Sequence, residues 1–91
     1  MIRSLVARFQ ELQLCNADRG DWIKFSLRVL ETLMSEQTTL VALHREMLAN
    51  AATLTPNAYR ELRMKARDRL AAVNDLATLY RSVQVRVSDE L

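Results

Sequence analysis

The sequence predicts an all-α protein: an antiparallel hairpin of two long helices with a shorter N-terminal helix packed on it, a three-helix bundle. Three observations carry this. Glycine and proline occur once each in 91 residues, too little punctuation for a sheet full of turns. Apolar residues recur at alternating steps of three and four along most of the chain, the period of a helix face. Leu, Ala, Arg and Glu, which favour helix, dominate.

The first helix is predicted over residues 2–17, with Ile2, Leu5, Val6, Phe9 and Leu12 on one face. The break follows at Asp18-Arg19-Gly20-Asp21. Gly20 is read as the residue that takes positive φ at the helix end, and Asp21 as the N-cap of the second helix. That helix is predicted over residues 22–52. Its inward face is read as Ile23, Leu27, Leu30, Met34, Gln37, Val41, His44, Leu48 and Ala51, a heptad pattern. The register passes through the polar, β-branched patch Ser35–Thr39 without a slip, so one unbroken helix is expected. Thr55-Pro56 opens the third helix, predicted over residues 56–85, with threonine as N-cap and proline at the first helical position. Its face reads Tyr59, Leu62, Ala66, Arg69, Val73, Leu76, Tyr80, Val83 and Val87. Residues 82–87 also alternate with period two, which leaves the end of this helix open. The short connection at Thr53–Thr55 makes helices two and three antiparallel neighbours. Gln37 then falls opposite Arg69 and Leu70, which leaves two arrangements: a polar layer in which the amide oxygen accepts from the guanidinium, or Arg69 running outward along its apolar stem with Gln37 left to water. The chain reads as a single domain, residues 1–91, without repeats or low-complexity stretches.

Composition excludes several function classes. Half the residues are apolar and a quarter charged, which fits neither a disordered tail nor a membrane protein. The formal net charge is only +2. Arg60, Arg63, Lys65, Arg67 and Arg69 make residues 60–69 locally basic, but Glu61 and Asp68 interrupt them, so nucleic acid is not the expected partner. One cysteine, Cys15, forms no internal disulfide and fits a reducing compartment. The N-terminal apolar stretch carries Arg3 and Arg8, unlike a signal peptide. Ser88-Asp89-Glu90-Leu91 only partly matches an ER-retention tail. The expected location is the cytoplasm.

No catalytic or metal-binding constellation is present in the sequence. His44 is the lone histidine and reads as structural. A helical chorismate mutase would need converging cations, and Arg8, Arg28 and Arg69 do not make a convincing set. Neither catalytic residues, nor cofactor, nor metal ligands are assigned, and an enzyme is not expected. What stands out is a second apolar stripe on helix two: Val29, Leu33, Leu40, Leu43 and Met47. Helix one can cover its first half. Leu40, Leu43 and Met47, with Met64 off the helix-three face, are left as candidate partner-binding residues for a protein client or for a second copy. Trp22 is read as a core anchor against helix one.

The stretch Ala17-Asp18-Arg19-Gly20-Asp21-Trp22, followed by Phe25, Arg28 and Leu30-Glu31, resembles the entry to the second helix in small flagellar export chaperones of the FliT type. Length and helix pattern also fit. The resemblance implies a cytoplasmic chaperone that binds a helical segment of a flagellar or type III secretion substrate and prevents its premature self-association. Two other readings stay open: a regulatory helical protein that binds and inhibits a transcription activator, and a small coiled-coil assembly protein.

Overall fold

The computed structural model describes residues 2–89. It is an all-α, three-helix arrangement: α1 (Ile2–Leu14), α2 (Arg19–Ala49) and α3 (Pro56–Asp89). The long helices α2 and α3 pack along their length as an antiparallel hairpin. The short α1 touches both of them at the end where α2 begins and α3 finishes. The molecule is a rod with principal extents of 54 × 19 × 14 Å.

The α1–α2 turn differs from the sequence reading in every detail but its position. Helix α1 stops at Leu14, before residue 17. The positive φ belongs to Asn16 (φ 52), not to Gly20. The Ala17 N–H reaches the Leu12 carbonyl at 3.2 Å, the six-residue closure that ends a helix when the following residue turns left-handed. Asparagine tolerates that conformation better than most residues. Helix α2 is capped by Asp18, not Asp21: Asp18 Oδ1 accepts from the Asp21 N–H at 2.9 Å. Asp21 thus lies inside the first turn, where its charge complements the helix N-terminus. Gly20 is helical, and a Cβ there would sit 3.2 Å from Asp18 Oδ1. Its lack of a side chain keeps room for the capping carboxylate.

Helix α2 runs unbroken through Ser35–Thr39. Thr38 and Thr39 donate to the carbonyls of Met34 and Ser35, so their hydroxyls are satisfied within the helix. It ends at Ala49, earlier than residue 52, with Asn50 as C-cap and the Leu54 N–H closing on the Asn50 carbonyl. Thr55 caps α3 as expected, accepting from the Ala58 N–H at 3.1 Å. Helix α3 continues through the period-two stretch past residue 85. Val83 and Val87, four apart, fall on the core side while Val85 points out. Residues 90 and 91 lie outside the described residues.

The core sits at the α1 end. Leu5 and Leu12 of α1 meet Trp22, Phe25, Val29 and Leu33 of α2 and Leu76, Leu79 and Val83 of α3. Trp22 packs edge-on against Phe9, with ring centroids 5.6 Å apart. The α3 face follows the sequence reading at Ala66, Val73, Leu76, Tyr80, Val83 and Val87, but Tyr59 is exposed, and Leu79, which that reading left out, is buried. The α2 face does not follow it: Ile23, Leu27, Met34, Val41 and Leu48 are exposed, and the row Val29, Leu33, Leu40, Leu43, Met47 faces α3 instead. The two rows share one period and differ by one residue, a rotation of about 100°. Periodicity alone does not choose between them. The choice falls to the row beside Trp22 and Phe25, because only that orientation buries both aromatics against α1 and α3 together.

The same rotation corrects the polar layer. Gln37 is exposed, and Glu36 takes its place, buried at 8% exposure. Arg69 Nη1 donates to both carboxylate oxygens of Glu36, at 3.1 and 2.9 Å. A second cross-hairpin bond joins the Gln84 side-chain amide to the buried Ser26 hydroxyl.

Two outcomes test this arrangement. Asp18→Ala should lower stability by about 1 kcal/mol in urea unfolding, and Asp21→Ala by clearly less. Arg69→Leu strands the buried Glu36 carboxylate and should destabilise by about 1–3 kcal/mol. In a double-mutant cycle with Glu36→Leu the loss should be largely recovered, whereas additive effects would show that the pair does not interact.

Candidate partner-binding surface

The distal half of the hairpin, beyond Glu36 and Arg69, has no third helix. Leu40, Leu43 and Met47 of α2 turn toward α3 and are half-buried against a face that includes Leu62 and the buried Ala66. A two-helix contact encloses no side chain from all sides, which is why the fully buried leucine and valines, Leu76, Val29 and Val83, all lie at the other end.

The two sides of the hairpin are unlike. α1 lies on the side of α2 that carries Asp21, Lys24 and Arg28, and on the side of α3 that carries Asp75, Thr78 and Ser82. The opposite side is uncovered along its whole length. There the distal half opens into a recess of about 690 Å³. Leu40 and His44 of α2 form one wall, and Ala66, Met64 and Leu70 of α3 supply most of the apolar lining on the other. Arg60, Arg63 and Arg67 stand around it. Among the described residues none of these three arginines makes an ion pair. Their spacing puts them on one side of α3, away from Glu61 and Asp68. Three cations beside an apolar floor make a locally positive potential that favours a ligand carrying both apolar and acidic groups.

His44 is exposed rather than part of the inward face, and its Nδ1 donates to the Leu40 carbonyl at 2.9 Å. Cys15 is exposed at the end of α1. Among the described residues no three His, Cys, Asp or Glu side chains group closely enough to hold a metal ion, and no helix is long and apolar enough to cross a membrane.

Of the four candidate residues, Leu40 and Met64 meet at this recess, while Leu43 and Met47 are half-buried outside its lining. Sequence reasoning missed Arg63, Arg67 and Leu70 as lining residues, because the side of α3 that faces the recess depends on the rotation of both helices. It also placed the row Leu27, Met34, Val41, Leu48 inside. Compared with known proteins, the chain matches no family model, no curated protein and no solved structure.

Because Met64 and Leu70 are largely solvent-facing, Met64→Glu and Leu70→Glu should each change the unfolding free energy by less than about 0.5 kcal/mol. Leu76→Ala, at a fully buried position, should lower it by about 2–5 kcal/mol. A comparable loss from all three substitutions would place Met64 and Leu70 in the core.

Proposed function

We propose that the protein is a cytoplasmic chaperone that holds an amphipathic helical segment of an export substrate of a flagellar or type III secretion system. The observation that carries this reading is the arginine-rimmed apolar recess on the uncovered side of the hairpin. A cleft between two antiparallel helices accepts a further helix by the same ridge-and-groove packing that seats α1 on the other side. A client helix would set apolar anchors against Leu40, Met64 and Leu70 and acidic side chains against Arg63 and Arg67. Leu40 is already half-buried, and Met64 and Leu70 have about half of their surface left to bury, so capture adds on the order of 1 kcal/mol for each. That keeps binding reversible, as handing a client onward requires. The Gly20-Asp21-Trp22 entry to α2, similar to that of FliT-type export chaperones, adds support from the sequence.

Two measurements test the proposal. Synthetic amphipathic peptides with identical apolar positions, flanked by glutamate or by lysine, are titrated against the protein by fluorescence anisotropy. The glutamate peptide should bind at least tenfold more tightly. Met64→Glu should abolish that binding, and Arg63→Glu with Arg67→Glu should reverse the preference. Equal affinity for both peptides sinks the recess as the binding site. A duplex DNA probe that binds more tightly than either peptide, with a steep salt dependence, would favour a nucleic-acid partner instead. In the host cell, deleting the gene should lower secretion of one flagellar or injectisome substrate without lowering its synthesis. An unchanged secretion profile would overturn the export role while leaving peptide binding intact.

A further inference from the structure

We infer that a second copy of the chain covers the outer row of α2 between Leu30 and Leu48, as an antiparallel α2–α2 pair centred near Thr38. This goes beyond client capture and uses the neighbouring face of α2, which meets the recess at His44. The row is Ile23, Leu27, Met34, Gln37, Val41, His44 and Leu48, with Leu30 at its inner edge, half-buried against the core. Leu27, Met34, Val41 and Leu48 stand seven apart and are 55%, 57%, 48% and 79% exposed. Scattered apolar residues on a surface need no explanation, but exposed apolar residues at heptad spacing over about 31 Å of helix do. Two shallow depressions lie along it, one lined by Met34, Gln37, Thr38, Val41, Ala42 and Arg45 and the other including Leu48. The heptad period specifies the shape of the occupant, a helix crossing at a small angle as in a coiled coil.

Charge identifies that occupant as a second copy. On the flank of the row that faces away from α3 stand Lys24, Glu31, Thr38 and Arg45, again seven apart. An antiparallel pair brings this flank against its own copy. Aligning Ile23 with the partner's Leu48 would set Lys24 beside the partner's Arg45, a like-charge contact made twice by symmetry. One heptad along, Leu30 meets the partner's Leu48, Met34 the partner's His44 and Gln37 the partner's Val41. Glu31 then meets the partner's Arg45, twice, and Thr38 meets its own copy at the two-fold axis. Glu31 and Arg45 are both exposed, and among the described residues neither makes an ion pair within the chain. A parallel pair gains no such ion pair. It would oppose this flank to Ser26, Leu33, Leu40 and Met47, none of them charged, and it would stack Gln37 on Gln37 and His44 on His44.

The test is the mass of the full-length protein by sedimentation equilibrium across a concentration series, with circular dichroism as the control for folding. The wild type should be dimeric. Arg45→Glu and Glu31→Arg should each weaken the dimer at least tenfold, and the double exchange E31R/R45E should restore it. Val41→Glu should give a folded monomer, while Met64→Glu, in the recess, should leave the dimer intact and so separates this inference from client binding. Thr38→Cys in a Cys15→Ser background should oxidise to a disulfide-linked dimer. A folded wild type that stays monomeric at several hundred micromolar overturns the inference. So does a dimer indifferent to both charge reversals, because such a dimer pairs elsewhere or in another register.

Discussion

The burial of Trp22 fixes the rotation of α2, and most of the remaining structure follows from that rotation. Trp22 and Phe25 lie one turn apart at the start of the helix, and both are buried. α1 supplies Phe9, Leu5 and Leu12 on one side, and α3 supplies Leu76, Leu79 and Val83 on the other. Aromatic side chains bury more apolar area than any aliphatic alternative, so the orientation that encloses both of them is preferred even though it leaves Ile23 and Leu27 in water. Since α2 is one unbroken helix, a rotation set at its beginning is carried to its end. Val41 and Leu48 are exposed because of what Trp22 does more than 25 Å away along the helix.

Glu36 shows how that rotation is accommodated. It stands on the inward row between Leu33 and Leu40, where a lone carboxylate would be strongly unfavourable. Arg69 answers it with two bonds from one guanidinium nitrogen, and its own side chain remains 48% exposed. The pair is therefore half-solvated, and its Coulomb energy is weaker than that of a fully buried one. Its distinctive contribution is register. Sliding α3 by a heptad would place Glu36 against Leu62 or Leu76, both apolar, so the hairpin is aligned where a charged side chain on each helix interrupts its apolar face. Ser26 and Gln84 make the same kind of link at the α1 end.

Fold class, the order of the helices, the Thr55-Pro56 start of α3 and the core anchoring of Trp22 were all legible in the sequence, because each depends on local chemistry or on a period. What was not legible depends on a comparison between faces. Helix α2 carries two apolar rows of equal period, and the period does not say which of them faces α3. The polar layer was placed at the right residue of α3 and one residue off on α2. Gly20 was read as the turn because glycine is the usual left-handed residue, yet Asn16 takes that conformation and Gly20 yields space to the Asp18 cap. Leu40 and Met64 were recognised as candidates for partner binding, and the arginines that give the recess its charge were not, since the side on which they stand follows from the rotation of α2 and α3 together.

The mismatch between helix lengths has an energetic consequence. α1 has 13 residues against 31 and 34 in the long helices, so a three-helix core exists only at one end of a 54 Å rod. The distal half has α2–α3 packing alone, with Leu40, Leu43 and Met47 half-buried and a short turn at its tip. Regions with few enclosed apolar contacts open at lower free energy than the core, so the distal hairpin opens more readily than the three-helix end. A partner that binds only the closed hairpin stabilises that half by mass action. Occupancy of the uncovered side and order in the distal hairpin are therefore thermodynamically linked, and the short first helix is what leaves that coupling available.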